Sequence, residues 1–212
     1  TRFFNLMKFN KKDLDTLTNI IASRRDVRGN NFINKKISRK KLDIILNSAL
    51  QAPSVGYSQP WQFIIVDKEK RELVYNHFKK SYDKSKENFV DKPLYNTLKL
   101  EGIKESSINI AVYYKKPTSN ILGQTYMKRT GEYSVVCAIL NMWLTARALN
   151  IGMGWVSILK AKKINKIFNI EKNEYKFIAY LCFGYTKEFY NEPELKKLKW
   201  NNKRKLKDCI FN

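Results

Sequence analysis

Apolar residues recur at helical spacing from about Lys12 to Ser23, where Leu14, Leu17, Ile20 and Ile21 share one face. A second such stripe, Leu42, Ile45, Leu46 and Ala49, follows Ser38, a residue suited to an N-cap, and Pro53 ends it. A third helix is predicted from about Glu69 to Ser81 through Leu73, Val74 and Phe78, and a short one between Lys160 and Phe168. Between these helices lie β-rich runs: Trp61–Val66, Ile108–Tyr114, Met153–Ile158 and Phe177–Tyr185. Strands and helices thus alternate without repeats or a low-complexity linker, which predicts one α+β domain over residues 1–212.

Two segments depart from simple periodicity. Tyr133–Leu149 is helical in length but apolar on nearly every side, so it is either a central core helix or one that packs against a second subunit. Residues 82–104 are polar and charged apart from Leu94, Leu98 and Leu100, and read as a mobile covering segment or lid. Lys115–Gly131 reads as a long loop, and the stretch after Glu188 is polar and ends in a basic run.

Charge sharpens this picture. The chain has 41 Lys+Arg against 19 Asp+Glu, a formal net charge of +22. That excess raises nucleic acid or an anionic membrane as partners. The basic residues, however, are 32 Lys and only 9 Arg, spread from end to end, whereas nucleic-acid readers concentrate Arg for its bidentate fork. The charge therefore reads mainly as a solvated surface, with a nucleic-acid module as the weaker alternative.

Cys137, Cys182 and Cys209 lie far apart without a C-x-x-C pair, and the lone histidine, His77, reads as a partly exposed surface residue without a carboxylate or thiol partner. No metal ligand set is expected, and scattered odd thiols fit a reducing, cytoplasmic setting. No apolar run approaches the roughly 18 residues of a membrane span, and no signal-peptide layout is seen.

Three places carry candidate chemistry. In Arg24–Gly29, RRDVRG, three of the scarce arginines flank Asp26 directly after a helix, a pattern suited to a phosphate monoester or to a solvated helix end. In Ala52–Trp61, APSVGYSQPW, Ser54, Gly56, Ser58 and Gln59 offer small polar groups and open amides that can lie against a planar heterocycle. In Gly152–Ile158, GMGWVSI, two glycines allow close backbone approach, and Ser157 can point out of a buried strand; the spacing is not a dinucleotide fingerprint.

The order of these pieces, with LKLEGI at Leu98–Ile103, YLCFGY at Tyr180–Tyr185 and EPELKKLKW at Glu192–Trp200, resembles the flavin-dependent nitroreductase superfamily. Within it the chain is most similar to the 5,6-dimethylbenzimidazole synthase (BluB) family, from about residue 15 to 210. Ordinary nitroreductases usually have serine where Asp26 stands and usually lack LKLEGI. The resemblance implies a nitroreductase-like α+β fold with a central mixed, mostly antiparallel sheet flanked by helices, and a homodimer with FMN at the subunit interface. It implies that reduced FMN is the substrate and O2 the co-substrate, a separate flavin reductase supplying the reduced flavin, and that the products are 5,6-dimethylbenzimidazole, the lower ligand of vitamin B12, and erythrose 4-phosphate.

On the same resemblance Arg24, Arg25 and Arg28 take the phosphate and ring oxygens, with Asp26 and Val27 in the same segment. Gly56 lies against the ring with Ser54 and Ser58 beside it, and Leu100 belongs to the lid. Asp26 has a proton-transfer role and Ser157 positions the flavin, these two being the catalytic pair. The chain departs from the family in Leu122–Ser134, where an Arg, a His and an acidic residue are more usual near the Tyr-Ser. The competing enzyme reading is an NAD(P)H-dependent nitroreductase or flavin reductase that recycles FMN.

Overall fold

The computed structural model describes residues 8–211. Helix α1 (Lys11–Ser23) opens with a capping box in which the Asn10 side chain accepts from Lys12 and Asp13 amides while Asp13 reaches back to the Asn10 amide. Helix α2 (Arg39–Ala49) is capped by Ser38 and buries Leu42, Ile45 and Ala49. Strand β1 (Trp61–Ile65), α3 (Lys68–Ser85), β2 (Ile108–Lys115) and α4 (Thr130–Ala148) follow, then β3 (Gly152–Val156), α5 (Ala161–Phe168), β4 (Tyr175–Gly184) and the short α6 (Glu194–Lys197).

The four strands form one sheet in the order β1-β2-β4-β3, each pair antiparallel. Among the described residues the sheet is therefore antiparallel rather than mixed; a parallel bridge outside the named strands, Asp26 to Met153, lays the segment after α1 beside β3. Both faces of the sheet are buried, so its central strands carry continuous apolar runs rather than alternation. Ile110, Val112 and Tyr114 of β2 and Leu181 and Phe183 of β4 face α2 and α4; Ala111, Tyr113, Tyr180 and Cys182 face α3 and α5. A register shift between Val112 and Tyr113 bends β2 within its pairing to β4.

Helix α4 is half of what its composition predicts. Val135, Ala138, Ile139, Met142 and Ala146 fill the core, whereas Tyr133, Val136 and Leu140 at i, i+3 and i+7 stay exposed in the single chain. Helix α1 repeats the pattern: it buries no residue fully, and its apolar Leu14, Leu17 and Ile21 face outward. An apolar face on each of two contacting helices is a surface suited to another subunit rather than to water.

Of the expected covering segment, residues 82–85 are the last turn of α3, which runs past the Ser81 expected from sequence, and two short 3-10 turns, Lys86–Phe89 and Pro93–Thr97, follow. The Tyr82 hydroxyl donates to the Tyr95 carbonyl at 2.8 Å, and Tyr95 stacks on Phe89 with ring centroids 4.2 Å apart. Where helical pattern fails in sequence, an aromatic cluster with Trp200 from the C-terminal stretch supplies the packing.

Candidate active site

The Arg24–Gly29 segment is held between β3, α4 and the LKLEGI stretch. Val27 N–H donates to Met153 O at 3.0 Å, and the Val27 side chain lies against Gly152, where a Cβ would come within 2.8 Å of it. A Cβ on Gly154 would overlap the Val27 carbonyl oxygen. The two glycines of GMGWV therefore make room for this segment, a close backbone approach of chain to chain. Gly29 N–H donates to Glu101 O at 2.8 Å, so LKLEGI closes the other side.

Asp26 stands at the centre. One carboxylate oxygen accepts the Trp155 N–H at 3.1 Å, and the other lies 3.3 Å from an Arg28 guanidinium nitrogen. Although 37% of the side chain remains exposed, the density of protein around it penalises the charged form. Burial thus raises the carboxyl above the ordinary aspartate value, against the opposing pull of Arg28, the Trp155 amide and Arg24, while Glu194 adds to the rise. Ser157 directly follows β3, two residues beyond Trp155, and is exposed. Asp26 is thereby bonded to β3 two residues before Ser157 in the chain.

The three arginines have different jobs. The Arg24 guanidinium sits 4.4 Å from the centroid of Trp143 on α4, half-buried and, among the described residues, with no carboxylate in salt-bridge contact. Arg28, 12% exposed, reaches Asp26, Glu194 at 3.5 Å and the Lys99 carbonyl at 3.1 Å, so it joins the acid, the C-terminal stretch and the covering segment. Arg25 is a structural clamp: four of its N–H groups go to the carbonyls of Tyr190, Ala22, Arg24 and Asn191 at 2.6–2.8 Å. A guanidinium has five N–H donors, so Arg25 has no bidentate face left for phosphate. Val27, expected at the flavin, is 3% exposed and belongs with its side chain to the core.

The Ser54–Ser58 loop lies elsewhere in the chain. Gly56 has φ 53° and packs beneath Ile121 and Leu122; Val55 N–H donates to Ser134 Oγ at 3.1 Å, and the Ser54 hydroxyl accepts the Gln59 amide. Among the described residues no hydrogen bond or ion pair links this loop to Asp26 or Arg28. Among the described residues Ser58 Oγ is buried without a hydrogen-bond partner, a free polar group in a loop suited to a heterocycle edge. Leu100 packs against the α3 side of the core and lines a cavity of about 230 Å³ with Tyr75, Phe78 and Tyr82. The wider cavities, of about 710 and 690 Å³, open beside Lys116 and Lys176, and neither Asp26 nor Ser157 lines them.

Sequence reasoning missed Trp143, the Trp155 amide and Glu194. Glu194 falls within EPELKKLKW, already singled out as a block, but nothing in that block signals an acceptor for Arg28. Among the described residues no group of three His, Cys, Asp or Glu could hold a metal ion. No helix of the described chain is long and apolar enough to cross a membrane.

Comparison with known proteins agrees with this architecture. A family profile described as "Nitroreductase family" matches residues 21–185. A 5,6-dimethylbenzimidazole synthase of Rhodospirillum rubrum is 36% identical over 195 residues, covering 90% of this chain and 91% of that protein. Two solved structures share the fold: a BluB-like flavoprotein from Clostridium difficile 630, with TM-score 0.69, 19% identity and coverage of 92% of this chain and 98% of that one, and a putative nitroreductase in complex with FMN from Desulfovibrio desulfuricans, with TM-score 0.68, 17% identity and coverage of 97% and 98%. The chain belongs to the nitroreductase family, within its group of 5,6-dimethylbenzimidazole synthases.

Proposed function

We propose that this protein is an oxygen-dependent 5,6-dimethylbenzimidazole synthase that uses reduced FMN as its substrate, releases erythrose 4-phosphate and receives the reduced flavin from a separate reductase. The observation that supports the reading best is Asp26. A carboxyl with a raised pKa is held by the Trp155 amide, two residues before Ser157 in the chain, at the position where simple nitroreductases usually carry a hydroxyl. The relative at 36% identity across nine-tenths of the chain points the same way.

The residues present fit a flavin phosphate. Among the described residues Arg24 has a fork that meets no carboxylate or carbonyl and Ser58 Oγ is a buried donor without a partner, while Arg28 is a second cation, already held by Asp26 and Glu194. FMN would supply the ring that reacts with oxygen; the protein's part is to bind, orient and move protons. Arg24 and Arg28 would hold the phosphate and ring oxygens, and Ser157 would fix the ring near β3. Asp26, once ionised, would accept a proton from the ribityl side, which a carboxyl with a raised pKa does better than an ordinary aspartate. Residues 82–104, tied to Arg28 through the Lys99 carbonyl, would close over the site and exclude water.

Within one chain no hydrogen bond or ion pair among the described residues joins the arginines to the Ser54–Ser58 loop, and on this reading a second copy brings its loop to the Arg24–Arg28 segment. We assign the exposed faces of α1 and α4 to that homodimer contact. The three free cysteines suit a cytoplasmic setting.

The decisive experiment incubates the protein with reduced FMN in air and follows products by chromatography. Formation of dimethylbenzimidazole with loss of flavin is expected. Flavin that survives many turnovers while NAD(P)H is consumed would instead establish a recycling nitroreductase, the reading favoured by the likeness to the FMN-bound structure.

A further inference from the structure

Helix α5 has an unfavourable start. Its N-cap is Lys160, whose side chain caps nothing, and its first turn contains no acidic residue. Lys162 and Lys163 add positive charge at the positive end of the helix dipole. The N-cap backbone N–H is normally met by a Glu or Gln three residues on, reaching back in a capping box. Here that position is Lys163, which can only donate. The acceptor comes from another element: His77 on α3 takes the Lys160 N–H on Nε2 at 2.9 Å.

This bond acts on the turn that presents Ser157. The turn runs from the last residue of β3, Val156, paired with Tyr180, to the start of α5. Ile158 and Leu159 pack against the α3 side of the core, and the Ser157 hydroxyl makes no hydrogen bond within the described chain. Its place is therefore set by the backbone at either end of the turn. We infer that His77 is a positioning residue, a neutral acceptor that does from α3 what α5 cannot do for itself and so fixes the Ser157–Lys160 turn. The inference rests on the assignment of Ser157 to the flavin site.

Only the neutral imidazole can accept at Nε2. Around His77 lie Asn76 and Lys80 from its own helix, Lys163 and Lys166 from α5 and Lys160 from the turn, with Leu73 and Ile167 completing a cavity of about 380 Å³. No carboxylate lies among them. Burial first, and Lys163 and Lys160 after it, hold the imidazole below its ordinary value. The bond is thus fully present above the ordinary histidine value of about 6.5 and is lost as pH falls through the lowered one.

His77 is the single histidine of the chain, so its ring proton signals report on it alone. The test combines their pH titration with hydrogen exchange of the Lys160 amide, corrected for intrinsic rate, in the wild type, His77→Gln and His77→Leu. Glutamine keeps an acceptor near the Nε2 position; leucine keeps only bulk. We expect Lys160 exchange to be about tenfold faster in the leucine variant, the effect of one ordinary hydrogen bond, and near wild type in the glutamine variant. In the wild type it should rise in step with His77 protonation, and in His77→Gln that dependence should vanish.

For the reaction, kcat should fall in His77→Leu with KM unchanged and recover in His77→Gln. Unchanged Lys160 exchange in every variant, or lost protection with unchanged kcat, overturns the inference. If the leucine variant does not fold, a flat wild-type exchange profile across the His77 titration overturns it just as well. A wild type that leaves reduced FMN intact defeats the synthase reading alone, and flavin affinity then takes the place of kcat.

Discussion

The Asp26 carboxylate accepts the backbone N–H of Trp155 at 3.1 Å, and this bond fixes where the acid sits relative to Ser157. The donor is main chain, so the position of Asp26 is set by the course of β3 and not by a rotamer. The second oxygen, 3.3 Å from Arg28, gives the carboxylate its orientation. Asp26→Asn should keep the Trp155 bond and lose the charge. It is expected to bind reduced FMN within a few-fold of wild type while product formation drops by about 10²-fold or more, the usual weight of a positioned base. Flavin titration and product chromatography on the same variant check this; a variant that loses flavin shows Asp26 to be structural.

The raised carboxyl also gives pH signatures with a defined sign. A base must be ionised to act, so kcat/KM should rise with pH through the Asp26 titration, along a limb lying above the ordinary aspartate range. For stability the sign is opposite. A carboxyl whose folded value is raised stabilises the fold below the unfolded value, and this contribution is lost as pH rises through the folded one. Asp26→Asn should therefore raise Tm at neutral pH and have little effect in acid. A lower Tm at pH 7 would show that the Arg28 pair outweighs burial.

Arg24 and Arg25 are adjacent and of one residue type, yet they should fail differently. Arg25 joins carbonyls on either side of a gap of more than 160 residues, so Arg25→Ala is expected to cost about 2–3 kcal/mol, by leaving charged hydrogen bonds unmade, and to lower Tm. Its folded fraction should bind FMN as wild type does. Arg24→Ala should weaken FMN binding about tenfold or more with a small change in Tm, since what it loses within the chain is its contact with Trp143. Thermal unfolding beside flavin titration separates them, and equal loss of affinity in both variants would return Arg25 to the phosphate site.

Gly154→Ala tests the packing that carries the Arg24–Gly29 segment. The added methyl would overlap the Val27 carbonyl oxygen, a main-chain atom held by the bonds of its neighbours. It cannot turn aside as a side-chain tip would, so the bridge of Asp26 to Met153 must open or β3 must shift. A loss of about 3 kcal/mol or more is expected, together with lost flavin binding, and urea unfolding reads the first. A stable, flavin-binding alanine variant would place the approach of the two chains further apart.

How much of this was legible in the sequence depended on the range of the contact. The α2 stripe, its Ser38 cap and the apolar central strands were readable because their signals are periodic or lie within a few residues. Asp26 and Ser157 were readable only as members of motifs; that the main chain of β3 joins them was not. The use of Arg25 on the carbonyls of Tyr190 and Asn191 left no trace, since any residue supplies a carbonyl and no side-chain pattern marks which one an arginine will meet. For the same reason His77 seemed to lack a partner: its partner is a backbone amide 83 residues away. Helix α4 was left between a core helix and a subunit contact because all-round apolarity records burial without saying by which chain.

That ambiguity yields a test at Leu140. In the single chain it is 49% exposed, on the outer face of α4 with Val136 and Tyr133. For a monomer, Leu140→Glu is a surface change worth no more than about 0.5 kcal/mol. Within a homodimer the same glutamate would be taken out of water without a cationic partner on a like face, at a cost of several kcal/mol. Sedimentation velocity at micromolar concentration should therefore show dimers for the wild type and monomers for Leu140→Glu. On the proposal that the Ser54–Ser58 loop reaches Arg24–Arg28 across the pair, FMN affinity should fall with dissociation even though no residue near Asp26 has changed. If the glutamate variant remains dimeric and binds flavin, the apolar face of α4 is not the subunit contact.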